Sequence, residues 1–115
     1  MKLKSLILLG ALCLGGSSFL AAKTRIFTVS RPIMCGNVQI PPGTYKLIAH
    51  SDGSTEIVDL NHFADKRPVS LPGTRNMADE RFHKTTVLAT PEGDYQRVSE
   101  IDLSHSSTKV DFPLQ

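Results

Sequence analysis

Apolar and polar residues alternate along most of this chain, and Pro, Gly, Asn and Asp interrupt the alternation at short intervals. A period of two puts successive side chains on opposite faces of an extended backbone, so each run reads as a β-strand with one face in a core. The pattern is clearest from Ile33 to His50, where the text is IMCGNVQIPPGTYKLIAH. Val38 and Ile40 lead into Pro41-Pro42-Gly43, after which Tyr45, Leu47 and Ala49 alternate with Lys46, Ile48 and His50. Pro presets φ for a first corner and Gly accepts a positive φ at the next, so this stretch predicts a strand, a tight turn and a second strand.

The other runs follow in order. Residues 24–30 carry Phe27 and Val29 on one side and end at Arg31-Pro32, since Pro cannot donate to a strand ladder. Gly36-Asn37 offers a turn, and Asp52-Gly53 between two alternating runs is a strong hairpin signal. Its partner strand is 55–60, with Val58 and Leu60 on one face, followed by a polar loop and a short strand at 68–72 whose bracketing prolines favour a sheet edge. GTRNMADERFHK, residues 73–84, has no period of two and predicts the longest loop, with Asn76 as cap of at most one short helix. Strand character resumes at 85–90, Pro91-Glu92-Gly93-Asp94 turns, and 95–103 places Tyr95, Ile101 and Leu103 in one parity and Val98 in the other. That slip predicts a bulge or turn near Val98. After a reversal at 104–107, Val110, Phe112 and Leu114 alternate with charged residues in a terminal strand.

The fold class that follows is all-β: a small antiparallel β-barrel or sandwich of seven or eight short strands, rich in meanders. Pairing of the first strand with the last would remove exposed edges, which favours closure into a barrel.

Charge and apolar clustering change the picture at the N-terminus. Lys2 and Lys4 precede an apolar run from Leu6 to Leu14 that is short for a membrane span and is followed by small residues and Ala21-Ala22. Residues 1–22 therefore read as a secretory signal peptide and 23–115 as a single β domain, with a cut after Ala22 and a periodic pattern beyond it that leaves no membrane span. Of 13 basic residues two lie in the signal, leaving 11 against 11 acidic ones. A near-neutral chain with interleaved signs is unlike a nucleic-acid binder, which gathers Lys and Arg on one face. Cleavage would leave Cys35 as the single thiol, unable to close an internal disulfide and open to an intermolecular one in an oxidising compartment.

The chemistry-bearing residues are sparse. His50, His62, His83 and His105 with Cys35 lack metal-ligand spacing, and Cys35 reads as a small semi-apolar residue at a strand end rather than a nucleophile, so no metal, cofactor or catalytic residue is assigned. Tyr45 reads as core, whereas Phe63 and Phe82 stand in polar surroundings. His62, Phe63, Arg81 and Phe82 are accordingly the candidate interaction surface, because loops on β scaffolds carry binding more often than strands do.

The segment FTVSRPIMCGNVQI, the motif IPPGTYKL, the threonine-rich HKTTVLAT and the ending YQRVSEIDLSHSSTKVDF together span nearly all of residues 23–115. This pattern resembles a group of small exported bacterial proteins, common in soil bacteria, whose signature is a "lpaGtYkv" hairpin. The resemblance implies a small β-barrel-like domain of uncharacterised function and carries over no catalytic residue. The functional expectation is a periplasmic or secreted, non-enzymatic β module that binds an envelope component or protein partner, and the alternative is a small-ligand or metal-binding carrier.

Overall fold

The computed structural model describes residues 21–62 and 65–113. Ten strands and no helix occur among them: β1 (Lys23–Val29), β2 (Ile33–Cys35), β3 (Val38–Ile40), β4 (Gly43–Ala49), β5 (Thr55–Asp59), β6 (Val69–Leu71), β7 (Thr74–Phe82), β8 (Thr86–Glu92), β9 (Tyr95–Asp102) and β10 (Ser106–Asp111). They form two sheets. One has the order β1-β4-β5-β6; the other runs β3-β2-β9-β10-β7, with β8 on the far edge of β9. The signal-peptide expectation falls almost entirely outside the described residues.

The two sheets face each other across one apolar core. Phe27, Val29, Tyr45, Leu47, Ala49, Ile57 and Leu71 come from the four-stranded sheet, and Ile33, Cys35, Ile40, Val98, Ile101, Leu103, Val110 and Phe112 from the six-stranded sheet or just beyond its strand ends. The alternation of the sequence is visible in the burial of β4, where Tyr45, Leu47 and Ala49 are covered and the residues between them are half-buried. This is a sandwich and not a closed barrel. β1 pairs only with β4 and β10 lies between β9 and β7, so first and last strands do not meet. Their shared hydrophobicity serves opposite walls of the core rather than a common seam.

Four further expectations are corrected. Pro41-Pro42-Gly43 is not a hairpin: β3 pairs back onto β2 through Gly36-Asn37, and β4 belongs to the other sheet, so this stretch carries the chain from one sheet to the next. Residues 73–84 are not a loop, since nine of them form β7. The core face of β5 carries Thr55 and Ile57 rather than Val58 and Leu60, because its pairing with β4 sets Thr55 opposite Ala49 and Ile57 opposite Leu47; Val58, opposite Lys46, is covered on the other face of the strand. One pairing, β2 with β9, is parallel, which an alternating pattern does not distinguish from antiparallel.

Other expectations hold. β4 and β5 form the hairpin promised by Asp52-Gly53, with φ 93° at Gly53, and β6 is the edge of its sheet. Between Leu88 and Ala89 the pairing skips from Glu100 to Val98, leaving Ser99 as the extra residue of a bulge. The bulge lets Val98 and Ile101, of opposite parity, both reach the core with no exposure.

Polar side chains tie the sheets together at their seams. The buried Thr55 hydroxyl donates to the Gly73 carbonyl at 3.1 Å, and the Arg75 guanidinium reaches the carbonyls of Ala21, Ala49 and His50 at 2.7, 3.3 and 3.4 Å. Asn61 accepts from the Thr44 N–H at 3.0 Å while donating to Asp59, and so fixes the start of β4.

Candidate functional site

The residues singled out from the sequence do not form one cluster. His62 is exposed just after β5, near Asn61 and hence at the Thr44 end of β4. Phe63 lies outside the described residues. Arg81 and Phe82 end β7, and Arg81 shares a surface hollow with Lys23, which pairs with Ala49 at the opposite end of β4. Six residues of strand, about 20 Å, therefore separate the His62 end from the Arg81 end.

Cys35 has no exposed surface, and burial pushes its thiol up to about 12. A protonated, covered sulfur is neither a nucleophile nor available to a second chain. His50 pairs with Glu56 at 2.6 Å on the rim of the β4–β5 hairpin. Arg97 grips Glu92 through Nε and Nη2 at 3.0 Å, lies 5.7 Å from the centre of the Tyr95 ring and donates to the Gly36 carbonyl at 3.1 Å. That set fastens the β8–β9 hairpin to the β2–β3 hairpin, and its hydrogen bonds hold the Glu92 carboxyl below its ordinary range.

The arrangement with unspent chemistry lies on the outer face of the six-stranded sheet. Thr108 pairs with Met77 and Ser106 with Phe82, so one residue of β10 stands opposite four of β7. Ala78 to Arg81 consequently lift away from the ladder as an arch. The run ADER lacks alternation because these residues are not in register with a neighbour. Beneath and beside the arch is a recess of about 440 Å³ lined by Met77, Phe82 and Leu88 and by Glu80, Glu100, Asp102 and Lys109, among others. Met77 and Leu88 are exposed, at 56% and 41%.

Strand geometry explains the acidic floor. Glu100 and Asp102 are two apart on β9 and so project to the same side, opposite the inward Ile101. Lys109 is the cross-strand partner of Asp102, and its Nζ lies 3.7 Å from Glu100 and 3.8 Å from Asp111. The ammonium thus serves Glu100 and Asp111. Asp102 is 8% exposed, and its Oδ1 is sealed with no hydrogen-bond partner among the described residues. Burial, followed by the neighbouring Glu100 carboxyl, raises the Asp102 acid to about 7. A carboxyl so covered, hydrogen-bonded to a second acid at Glu100 and with one oxygen lacking a donor, is costly to ionise and holds its proton.

Of the residues named from the sequence, Phe82 lines this recess and Arg81 ends the arch beside it, whereas Glu100, Asp102 and Lys109 are not singled out by the sequence pattern. The i, i+2 spacing of the two acids on an otherwise well-patterned strand was the available signal; which strand lies beside them was not. Among the described residues no three His, Cys, Asp or Glu side chains converge as metal ligands would, and no helix is long and apolar enough to cross a membrane. Compared with family models, curated proteins and solved structures, the chain matches none.

Proposed function

We propose that this chain is an exported, non-enzymatic binding module of the bacterial cell envelope, periplasmic or secreted, whose contact surface is the recess under the β7 arch. The observation that carries the reading is the juxtaposition of exposed Met77 and Leu88 with the sealed, partnerless Asp102 oxygen in one concavity. Apolar walls with a few placed polar groups are how proteins hold ligands, and a sandwich with a filled core offers its outer faces for that purpose. The Lys2–Leu14 and Ala21-Ala22 pattern supports export, and the similarity around IPPGTYKL supports a place among small exported bacterial β domains. Carriage of a small ligand is the second reading, favoured by the volume of the recess, which falls in the range of small-molecule sites.

A photo-crosslinking residue at Leu88, compared with one at Ile26 on β1 of the other sheet, tests this in intact cells. Leu88 and Ile26 are both exposed, so labelling by chance reaches both. A discrete adduct from Leu88 alone is expected. Equal labelling from both positions, or none from Leu88, would remove this face as a macromolecular contact.

A further inference from the structure

We infer that the recess under the β7 arch binds an organic cation, a guanidinium or primary ammonium on a short apolar stem, which takes the place of a proton at Asp102. This rests on the recess being the contact surface and goes further by naming the chemistry it selects. The balance of charge points that way. Four acids, Asp79, Glu80, Glu100 and Asp102, line the concavity against the single base Lys109, which is already shared between Glu100 and Asp111. A ligand that brings a positive charge relieves a repulsion that Lys109 leaves uncompensated. The partnerless Oδ1 of Asp102 is the acceptor in waiting, and a charge-assisted hydrogen bond from N–H is the interaction that would satisfy it.

Shape separates an organic cation from a metal ion. The carboxylates are spread around a space of about 440 Å³ rather than converging, and Met77, Phe82 and Leu88 supply apolar wall between them. A guanidinium or ammonium has several directional donors and a methylene stem to lay against such walls, whereas a bare divalent ion needs its oxygens within one coordination shell.

The linkage has a definite sign. With its acid near 7, Asp102 is mostly protonated at pH 6 and mostly ionised at pH 8, and the groups that set this are Glu100 on its own strand, Lys109 on β10 and Glu80 on β7; Thr86, opposite it on β8, bears no charge. A cation that requires the ionised form must displace the proton, so affinity is close to full by pH 8, is halved near 7, and approaches a fall of about tenfold per pH unit well below that.

The experiment titrates the folded protein with agmatine, with the peptide acetyl-Gly-Arg-Gly-amide and with calcium ion, following backbone amide shifts by NMR at pH 5.5, 6.5 and 7.5. Agmatine alone shifting residues of β7 and β9, about threefold more tightly at pH 7.5 than at 6.5 and about eightfold more tightly at 6.5 than at 5.5, identifies a free amine as the ligand class; shifts with the peptide alone identify a side chain of a partner. Calorimetry at pH 6 in two buffers should show release of close to one proton. Asp102→Asn should weaken binding at least tenfold and flatten the pH profile, and Glu80→Gln, on the exposed arch, should weaken it while the Asp102 pH dependence survives. Absence of shifts with both organic probes, binding independent of pH in the unaltered protein, or calcium binding at least as tightly would overturn the inference. A Leu88 adduct persisting alongside any of those results would leave the contact surface standing and remove only its cation chemistry.

Discussion

Gly43 has φ 154°, and a Cβ placed on it would run into the Asn61 amide, 2.7 Å from its Oδ1. That oxygen is the acceptor that holds the Thr44 N–H, so the glycine is required both by its backbone angle and by the clamp built over it. Gly43→Val should therefore cost roughly 1–3 kcal/mol, seen as a melting midpoint lower by about 5 °C or more than that of an exposed control such as Thr28→Val. An unchanged midpoint would mean that Asn61 does not clamp the entry to β4. The Asp102 carboxyl illustrates the opposite kind of residue, one that fits its place poorly. Cys35 and Asp102 are both covered, yet the thiol sits among apolar neighbours where its neutral form is at ease, while the carboxyl has an acid beside it and an oxygen without a donor. Misfits of the second kind mark function more often than those of the first.

Among the elements, β10 is the one on which the six-stranded sheet depends. It is flanked by β9 and β7, its Val110 is fully buried, and Phe112 just beyond it is 5% exposed and donates its N–H to the Ser99 carbonyl at 2.9 Å. Removing residues from Lys109 onward takes away apolar burial of about 1.5–3 kcal/mol per large side chain and bares edges on both neighbours. Against a total stability of about 5–15 kcal/mol, the expected outcome is unfolding or aggregation, read by size-exclusion chromatography and circular dichroism. A monomeric truncated protein with an undisturbed β spectrum would refute the placement of β10. The same strand shows why β7 escaped recognition. Its paired ends, Thr74 to Met77 and Phe82, lie against β10, but the four residues between them form the arch, and pattern reading fails where a strand leaves its ladder.

For the molecule as a whole, the step most exposed to test is export. A cut after Ala22 would leave Lys23, the first residue of β1, at the new N-terminus, and it would remove the Ala21 carbonyl from Arg75 while the carbonyls of Ala49 and His50 remain to hold that side chain. Intact mass of the protein recovered from cells should begin at Lys23; a mass retaining Met1 would end the exported reading. The sequence by itself determined what depends on neighbours along the chain: strand character and its apolar face in β1, β4 and β10, the Asp52-Gly53 hairpin, the edge position of β6, and the parity slip that became the Ser99 bulge. Period-two patterning and turn chemistry are local, and these features need nothing more. The tertiary structure alone decided which strands pair and therefore where polar groups meet. Thus the Pro-Pro-Gly stretch could turn back or cross between sheets with the same residues, and the first and last strands could close a barrel or face each other across a core with the same hydrophobic pattern. Glu100, Asp102, Lys109 and the β7 arch became one recess only because β9, β10 and β7 lie side by side. Pairing between distant strands follows from how the whole apolar surface is best covered, a sum over contacts far apart in the chain that no single stretch carries.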